Sequence, residues 1–493
     1  REFIKKGFQK PHKIRLRDSE SLLNNKGGKL IMMKKVRIIG VLLICFLLTG
    51  FDNYLNEVKA ADVDSEIDLL LYEDSDIKEV VEEIKEISPD ILITEYGELS
   101  LLHLELSDKI STEDVITNET VNDKIELAGN MPDIELGKID LGATYSGEPV
   151  INGLQDNKKL RMTEEGLFDL LAWHVDEVTE ERRSFEISTG KDVRIALIDS
   201  GVDYSHPLLV ENIDLKNARS YIPGDDSVVD TNGHGTMVAG VLKQISPNSI
   251  ITPYRVIGDT TGDSSATLRA IIEAVNDGND IINASVGTYK CKDIKSEKLT
   301  IKAFERAIKY AKKNDVIVIA SAGNLGLDLD EYYKLENIKH LPGGIKGVDS
   351  ISAVLGKKLT LYSNYGSNIK YCAPGGDLVY IDGYLDLDSM IYCLYPTYLD
   401  NGLQVLGIPQ GYTFSYGTSF AAPIVTAGSA DVMSYYRANN IRIKSKDITK
   451  ALSKGAEDLG SKGKDKYYGN GQINILNSLK YISSKVNKKK RTP

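Results

Sequence analysis

From about residue 193 onward the sequence predicts an α/β domain built on a doubly wound, mostly parallel sheet. Two patterns carry this reading. Short apolar runs rich in Val and Ile recur at 193–199, 250–257, 280–286, 316–321 and 350–354, the continuous kind that strands covered on both faces require. Between them, 268–275 and 299–313 carry apolar residues at helical spacing, so strands and helices alternate as a parallel sheet demands. In such sheets ligands and catalytic groups collect at the carboxyl ends of the strands.

The chain has 493 residues and is 42% hydrophobic, enough for one large domain or two to three average ones. Residues 1–32 are basic and lack any helical or strand period, and they are expected to be no part of the native protein. Residues 33–61 follow a secretory signal pattern: a basic start (Lys34, Lys35, Arg37), an apolar run at 38–48 and V-K-A-A at 58–61. The run is short for a spanning helix, and no small residue precedes Cys45 as a lipoprotein signal would want, so cleavage near Ala60 or Ala61 and no stable membrane anchor are expected.

A small α+β unit comes next. Residues 67–72, 91–96 and 99–106 read as strands, and 76–87 reads as a helix with apolar residues at Ile77, Val80, Val81, Ile84 and Ile87. The stretch 107–159 is polar and weakly patterned, as a linker or cleavage zone would be. Residues 62–150 then have the layout of a propeptide with a processing linker, and 151–493 that of the domain it precedes. An ordinary N-terminal domain would look the same.

Charge supports separable parts. Residues 61–130 hold 4 basic and 21 acidic side chains, whereas 151–493 hold 42 basic and 41 acidic. No basic surplus remains in the large domain, which argues against a nucleic-acid role. Beyond Cys45, Cys291, Cys372 and Cys393 leave at least one thiol unpaired, and they read first as small buried residues and second as a disulfide source. No Cys/His spacing suggests zinc.

Four polar motifs lie in separate glycine-bearing turns: D-S-G at 199–201, N-G-H-G-T at 232–236, S-A-G-N at 321–324 and G-T-S-F-A-A-P at 417–423. Taken alone, Ser419 reads first as a helix cap and His234 as a structural histidine. Together they are the parts of nucleophilic acyl transfer. Ser419 would attack, His234 would take its proton, and Asp199 would fix the imidazole tautomer. Asn324 and the Ser419 backbone N–H would stabilise the oxyanion.

In this order the motifs resemble those of the subtilisin-like serine proteases. The resemblance covers roughly 173–482 and also rests on I-N-A-S-V-G at 282–287, A-P-G-G at 373–376 and Y-G-N-G-Q-I-N-I-L-N-S-L near the end. It implies a subtilisin-like fold, a serine endopeptidase with Asp199, His234 and Ser419 as catalytic residues and Asn324 at the oxyanion, and an inhibitory, fold-assisting propeptide. It also implies that the strand around Ser285, Val286 and Gly287 pairs with substrate backbone.

Two departures bear on cofactors. The segment between His234 and Arg255 is shorter than in the degradative members, and Leu208 stands where those members carry an acidic calcium ligand. The family's usual strong calcium site is therefore expected to be absent, leaving the acidic loop at 328–331 as the remaining place for calcium.

Within the family, the short signal and the acidic propeptide resemble the leader peptidases that mature lantibiotics in Gram-positive bacteria. That implies a secreted, monomeric, extracellular enzyme acting on a modified precursor peptide, often after arginine. Arginine selection would need a carboxylate in the specificity pocket, and Asp293, Asp328 and Asp330 are the candidates by position. A general degradative protease and a catalytically inactive binding protein are the alternatives.

Overall fold

The computed structural model describes residues 65–135, apart from 108 and 133, and 164–491, apart from 382 and 383. The expectations for 1–32 and 33–61 lie outside the described residues, as does the linker from 136 onward.

The N-terminal unit is a four-stranded antiparallel sheet. Its elements are β1 (Glu66–Leu71), α1 (Ile77–Ile87), β2 (Leu92–Tyr96), β3 (Leu101–Glu105), the short helices α2 (Thr112–Ile116) and α3 (Glu119–Asn122), and β4 (Ile125–Gly129). The strand order is β2-β3-β1-β4. Asp76 caps α1 through the Lys78 N–H, and Val80 and Ile84 bury its inner face. The structure corrects the linker expectation over 107–129, where two helices and a strand stand instead. Ser111 and Asn118 cap the two helices, and each buries a single valine, Val115 or Val121. β4 takes its register from Asp68 to Leu71 on β1. So little apolar patterning is invisible locally, and the neighbouring strand supplies the order.

In the large domain, β6 (Arg194–Asp199), β8 (Ile250–Arg255), β10 (Ile281–Ala284), β12 (Ile317–Ser321) and β14 (Asp349–Leu355) form the predicted parallel sheet. The order is β14-β12-β10-β6-β8, extended by β16 (Ile369–Pro374) beside β14 and by the short β7 (Arg219–Ser220) and β15 (Lys358–Leu359). Alternation along each strand divides the core. Ile195, Leu197 and Ile319 join one cluster with α6 (His234–Ile245) and the central helix α10 (Thr418–Ala438). Ala196, Ile198 and Ala320 face the other way, toward α7 (Ser264–Asn276) and α8 (Lys295–Lys313). Helices on both faces of a parallel sheet make a three-layer domain, and β6 lies inside it between β10 and β8 with Asp199 as its last residue.

The acidic block of the N-terminal unit meets the basic stripe of α8. Arg306, with a side chain only 10% exposed, binds Glu126 at 2.8 Å and donates to the backbone carbonyls of Leu71 and Leu99 at 2.9 and 2.6 Å. Lys302 pairs with Glu126 and Lys309 with Glu73. Tyr96, Leu99, Leu101 and Met131 join the apolar cluster of α7 and α8. Removing a buried guanidinium that serves three acceptors should weaken this contact by about 2–4 kcal/mol. In a chain with Ser419 already replaced by alanine, Arg306→Ala should make residues 65–135 at least about 30-fold more susceptible to an added protease. Unchanged susceptibility would mean that the apolar contact alone holds the unit.

Candidate active site

Asp199 ends β6 fully buried, and His234 opens α6 after Gly233. The two turns can approach because neither carries a side chain at the crossing: a Cβ on Gly235 would lie 2.0 Å from the Gly201 carbonyl oxygen. This brings His234 Nδ1 within 2.7 Å of Asp199 Oδ1. Behind them, Asp230 is buried and accepts from Ser200 Oγ, the N–H groups of Asn232, Gly233 and Thr236, and Thr236 Oγ1 at 2.6–3.1 Å. It pins the histidine turn to the aspartate turn. Asp230 went unread in the sequence, although it stands two residues before N-G-H.

Burial works against a charged imidazole at His234. The Asp199 charge and its hydrogen bond outweigh burial, with Asp230 adding, and hold the group above its ordinary value.

Ser419 is the second residue of α10, where backbone N–H groups have no partner within the helix. Its hydroxyl donates to the Ser285 carbonyl at 3.1 Å, and Ser285 Oγ donates back to the Ser419 carbonyl at 2.9 Å. Phe420 packs against the His234 ring with centroids 5.9 Å apart, so the helix start and the imidazole share one site. To engage His234, the hydroxyl must swing off Ser285.

Asn324 follows β12 and is exposed. Its Oδ1 accepts from the Thr418 N–H at 2.9 Å and from Thr418 Oγ1 at 2.7 Å. Both bonds fix the amide so that Nδ2 is the free, outward donor. Gly417, at φ 139°, keeps that side open, since a Cβ there would come within 3.2 Å of Nδ2. Thr418 was missed as a positioning residue, though it lies inside the G-T-S motif.

Ser285, Val286 and Gly287 continue from β10, with Ser285 and Val286 buried. Asn283 Nδ2 donates to Ser285 Oγ at 3.0 Å and Asn283 Oδ1 accepts from Thr426 Oγ1 on α10, which ties this segment to the serine's helix.

The three pocket acids are engaged elsewhere. Asp293 is exposed and accepts from Asn337 Nδ2 at 2.9 Å. Asp328 caps α9 (Leu329–Glu336) and binds Lys466 at 2.7 Å. Asp330 is exposed and accepts from the Ser367 N–H and Oγ at 2.7 Å. Each of the three thus has a local partner, with Asp330 in the first turn of α9. Among the described residues no group of three or more His, Cys, Asp or Glu side chains converges as a metal site, and Cys291, Cys372 and Cys393 are free thiols.

The subtilase family model matches residues 190–471. An epidermin leader peptide-processing serine protease of Staphylococcus epidermidis is 29% identical over 371 residues, 67% of this chain and 79% of that protein. The crystal structure of a lanthipeptide protease is 38% identical and superposes with a TM-score of 0.62 over 68% of this chain and 100% of that one. An epidermin leader peptidase structure from Staphylococcus aureus shares the fold, with a TM-score of 0.66 at 23% identity, covering 85% of this chain and 98% of that one. With the family model covering more than half the chain, this protein belongs to the subtilase family of serine endopeptidases.

Proposed function

We propose that the chain is a processing endopeptidase that removes the leader from a modified, lantibiotic-type precursor peptide. Likeness to the lanthipeptide and epidermin leader proteases supports this substrate class more than any other observation.

In the proposed reaction, His234 Nε2 takes the Ser419 proton as Oγ attacks the scissile carbonyl carbon. Asp199 holds the imidazole tautomer and stabilises the imidazolium. Negative charge on the carbonyl oxygen is met by Asn324 Nδ2 and the Ser419 N–H. The C–N bond breaks as His234 returns the proton to the leaving amine, and water then hydrolyses the ester by the same base. Ser285, Val286 and Gly287 offer backbone to an extended substrate.

The N-terminal unit is the propeptide in this reading. Its exit supports that role: Ile134–Glu135 (β5) adds antiparallel to Thr261–Gly262 (β9), pairing Ile134 with Gly262 and Glu135 with Thr261. It thus lies on the domain as a peptide strand would. Secretion through the segment 33–61 and a monomeric state belong to the same proposal. Among the described residues no helix is long and apolar enough to cross a membrane.

A leader-bearing precursor peptide and casein, offered at equal mass to the matured enzyme, distinguish the readings. The expected result is one cut in the precursor with casein intact. Rapid casein degradation with many precursor cuts would favour the general degradative alternative.

A further inference from the structure

Seven of the 19 residues of α8 are Lys or Arg and two are Glu, in a domain whose 42 basic and 41 acidic side chains otherwise balance. The surplus is gathered on one side. Lys302, Arg306, Lys309 and Lys313 follow at spacings of four, three and four, so they share one face of the helix. That face already holds carboxylates: Glu126 takes Lys302 and Arg306, and Glu73 takes Lys309. Lys313 lines a cleft with Glu73 and Glu98. Beside the cations, Ala303, Phe304 and Ala307 form an apolar ridge in the cluster that Leu99, Leu101 and Met131 join.

The seam is charged and incompletely closed, with one cleft at Gly97 to Ser100 and another between Tyr72 and Lys302. Polar seams of this kind let two parts separate. Removal of the N-terminal unit in the proposed maturation uncovers the helix face. Arg306, nine-tenths covered here, then loses Glu126 and the Leu71 and Leu99 carbonyls, and its donors open to any other acceptor-bearing chain. The path off the face has a direction. Met131 packs in the α7 and α8 cluster, and Ile134–Glu135 then lies along Thr261–Gly262. A leader is likewise the part of a precursor that precedes the cut bond, so it can approach in the same sense.

We propose that in the matured enzyme the cationic face of α8 docks the leader of the precursor, and that it selects a leader segment carrying several Asp or Glu residues together with apolar ones. The N-terminal unit is the resident stand-in for that segment. The inference rests on the leader-protease reading above and deepens it, by giving a place to the part of the leader remote from the cut bond. Cations spread along a helix face attract an acidic chain over a Debye length and repel a basic one, so the surface sorts leaders by charge.

Two quenched fluorogenic peptides test this. They share the residues around the cut bond of a lantibiotic precursor and carry an N-terminal extension of about 16 residues, up to ~50 Å when extended. One extension is built of Ala, Leu and Glu, and the other has Gln for every Glu. On matured wild-type enzyme freed of its N-terminal unit, KM at low salt should be about tenfold lower for the Glu peptide with kcat alike. The difference should close at about 1 M salt, where screening acts within ~3 Å. In a Lys302→Gln, Arg306→Gln enzyme the KM ratio should fall below about two. On wild type, the Glu extension alone, without a cut site, should raise KM for the Glu peptide as a competitor. Equal KM values for the two peptides on wild type would overturn the docking surface while leaving the leader-protease reading intact. A ratio that survives in the active double variant would overturn its assignment to α8. Binding of the matured enzyme to phosphatidylglycerol vesicles, with no preference between the peptides, would overturn it in favour of an anionic lipid surface. Cleavage of neither peptide would overturn the leader-protease reading itself.

Discussion

Ser419→Ala should lower kcat by roughly 10⁶-fold, the size of the loss when subtilisin loses its serine. The side chain is half-buried and its one hydroxyl bond goes to the Ser285 carbonyl. Alanine therefore leaves no buried donor unpaired, and the melting temperature should stay within a few degrees of wild type. A residual rate above water would remain, because Asn324 and the α10 N-terminus still face the carbonyl. If maturation is intramolecular, the same variant should accumulate with its N-terminal unit uncut, as a mass measurement would show. A variant keeping more than about a hundredth of wild-type kcat would remove Ser419 from the nucleophile's role.

Asp199→Asn has the next largest expected effect, about 10⁴-fold in kcat, the size known for the corresponding change in a chymotrypsin-type triad. The carboxylate accepts from His234 Nδ1 at 2.7 Å. An amide there can present its NH₂ instead, which stabilises the wrong tautomer. A second readout separates this from misfolding. The base acts neutral, and His234 is held above the ordinary histidine value of about 6.5. The acid limb of kcat/KM in wild type should therefore lie above that value, and activity should fall as pH drops through it. In the variant the raising charge is gone, burial prevails, and the limb should move below about 6.5. A limb that stayed in place would assign it to another group. For stability the sign reverses: a raised histidine contributes below its unfolded value, and this is lost as pH rises through the folded value.

Much of the site was legible because its parts are local. An apolar run ending in D-S-G announces a buried strand that turns sharply, and it places Asp199 without reference to anything distant. N-G-H-G-T, S-A-G-N and G-T-S-F-A-A-P are legible for the same reason, since each joins a polar group to the glycine that makes room for it. The acidic excess at 61–130 was also visible, but its meaning was not. Glu73 and Glu126 acquire one only when α8 lays Arg306 and Lys309 against them. The stretch 107–129 failed as a linker because α2, α3 and β4 draw their order from neighbours and not from their own period. The partners of the three candidate pocket acids were illegible for a related reason. Proximity in sequence to the Ser285 strand or to Asn324 put Asp293, Asp328 and Asp330 forward, yet each side chain turns to a surface partner.

By itself, then, the sequence determined which groups are present and on which strand ends and turns they stand, because apolar periodicity and glycine turns act over a few residues. Tertiary structure decided how those groups point and what surrounds them. The Ser419 hydroxyl rests on Ser285, and Thr418 fixes the Asn324 amide. Hydrogen bonds and burial between residues far apart in the chain set those directions, and no local pattern encodes them.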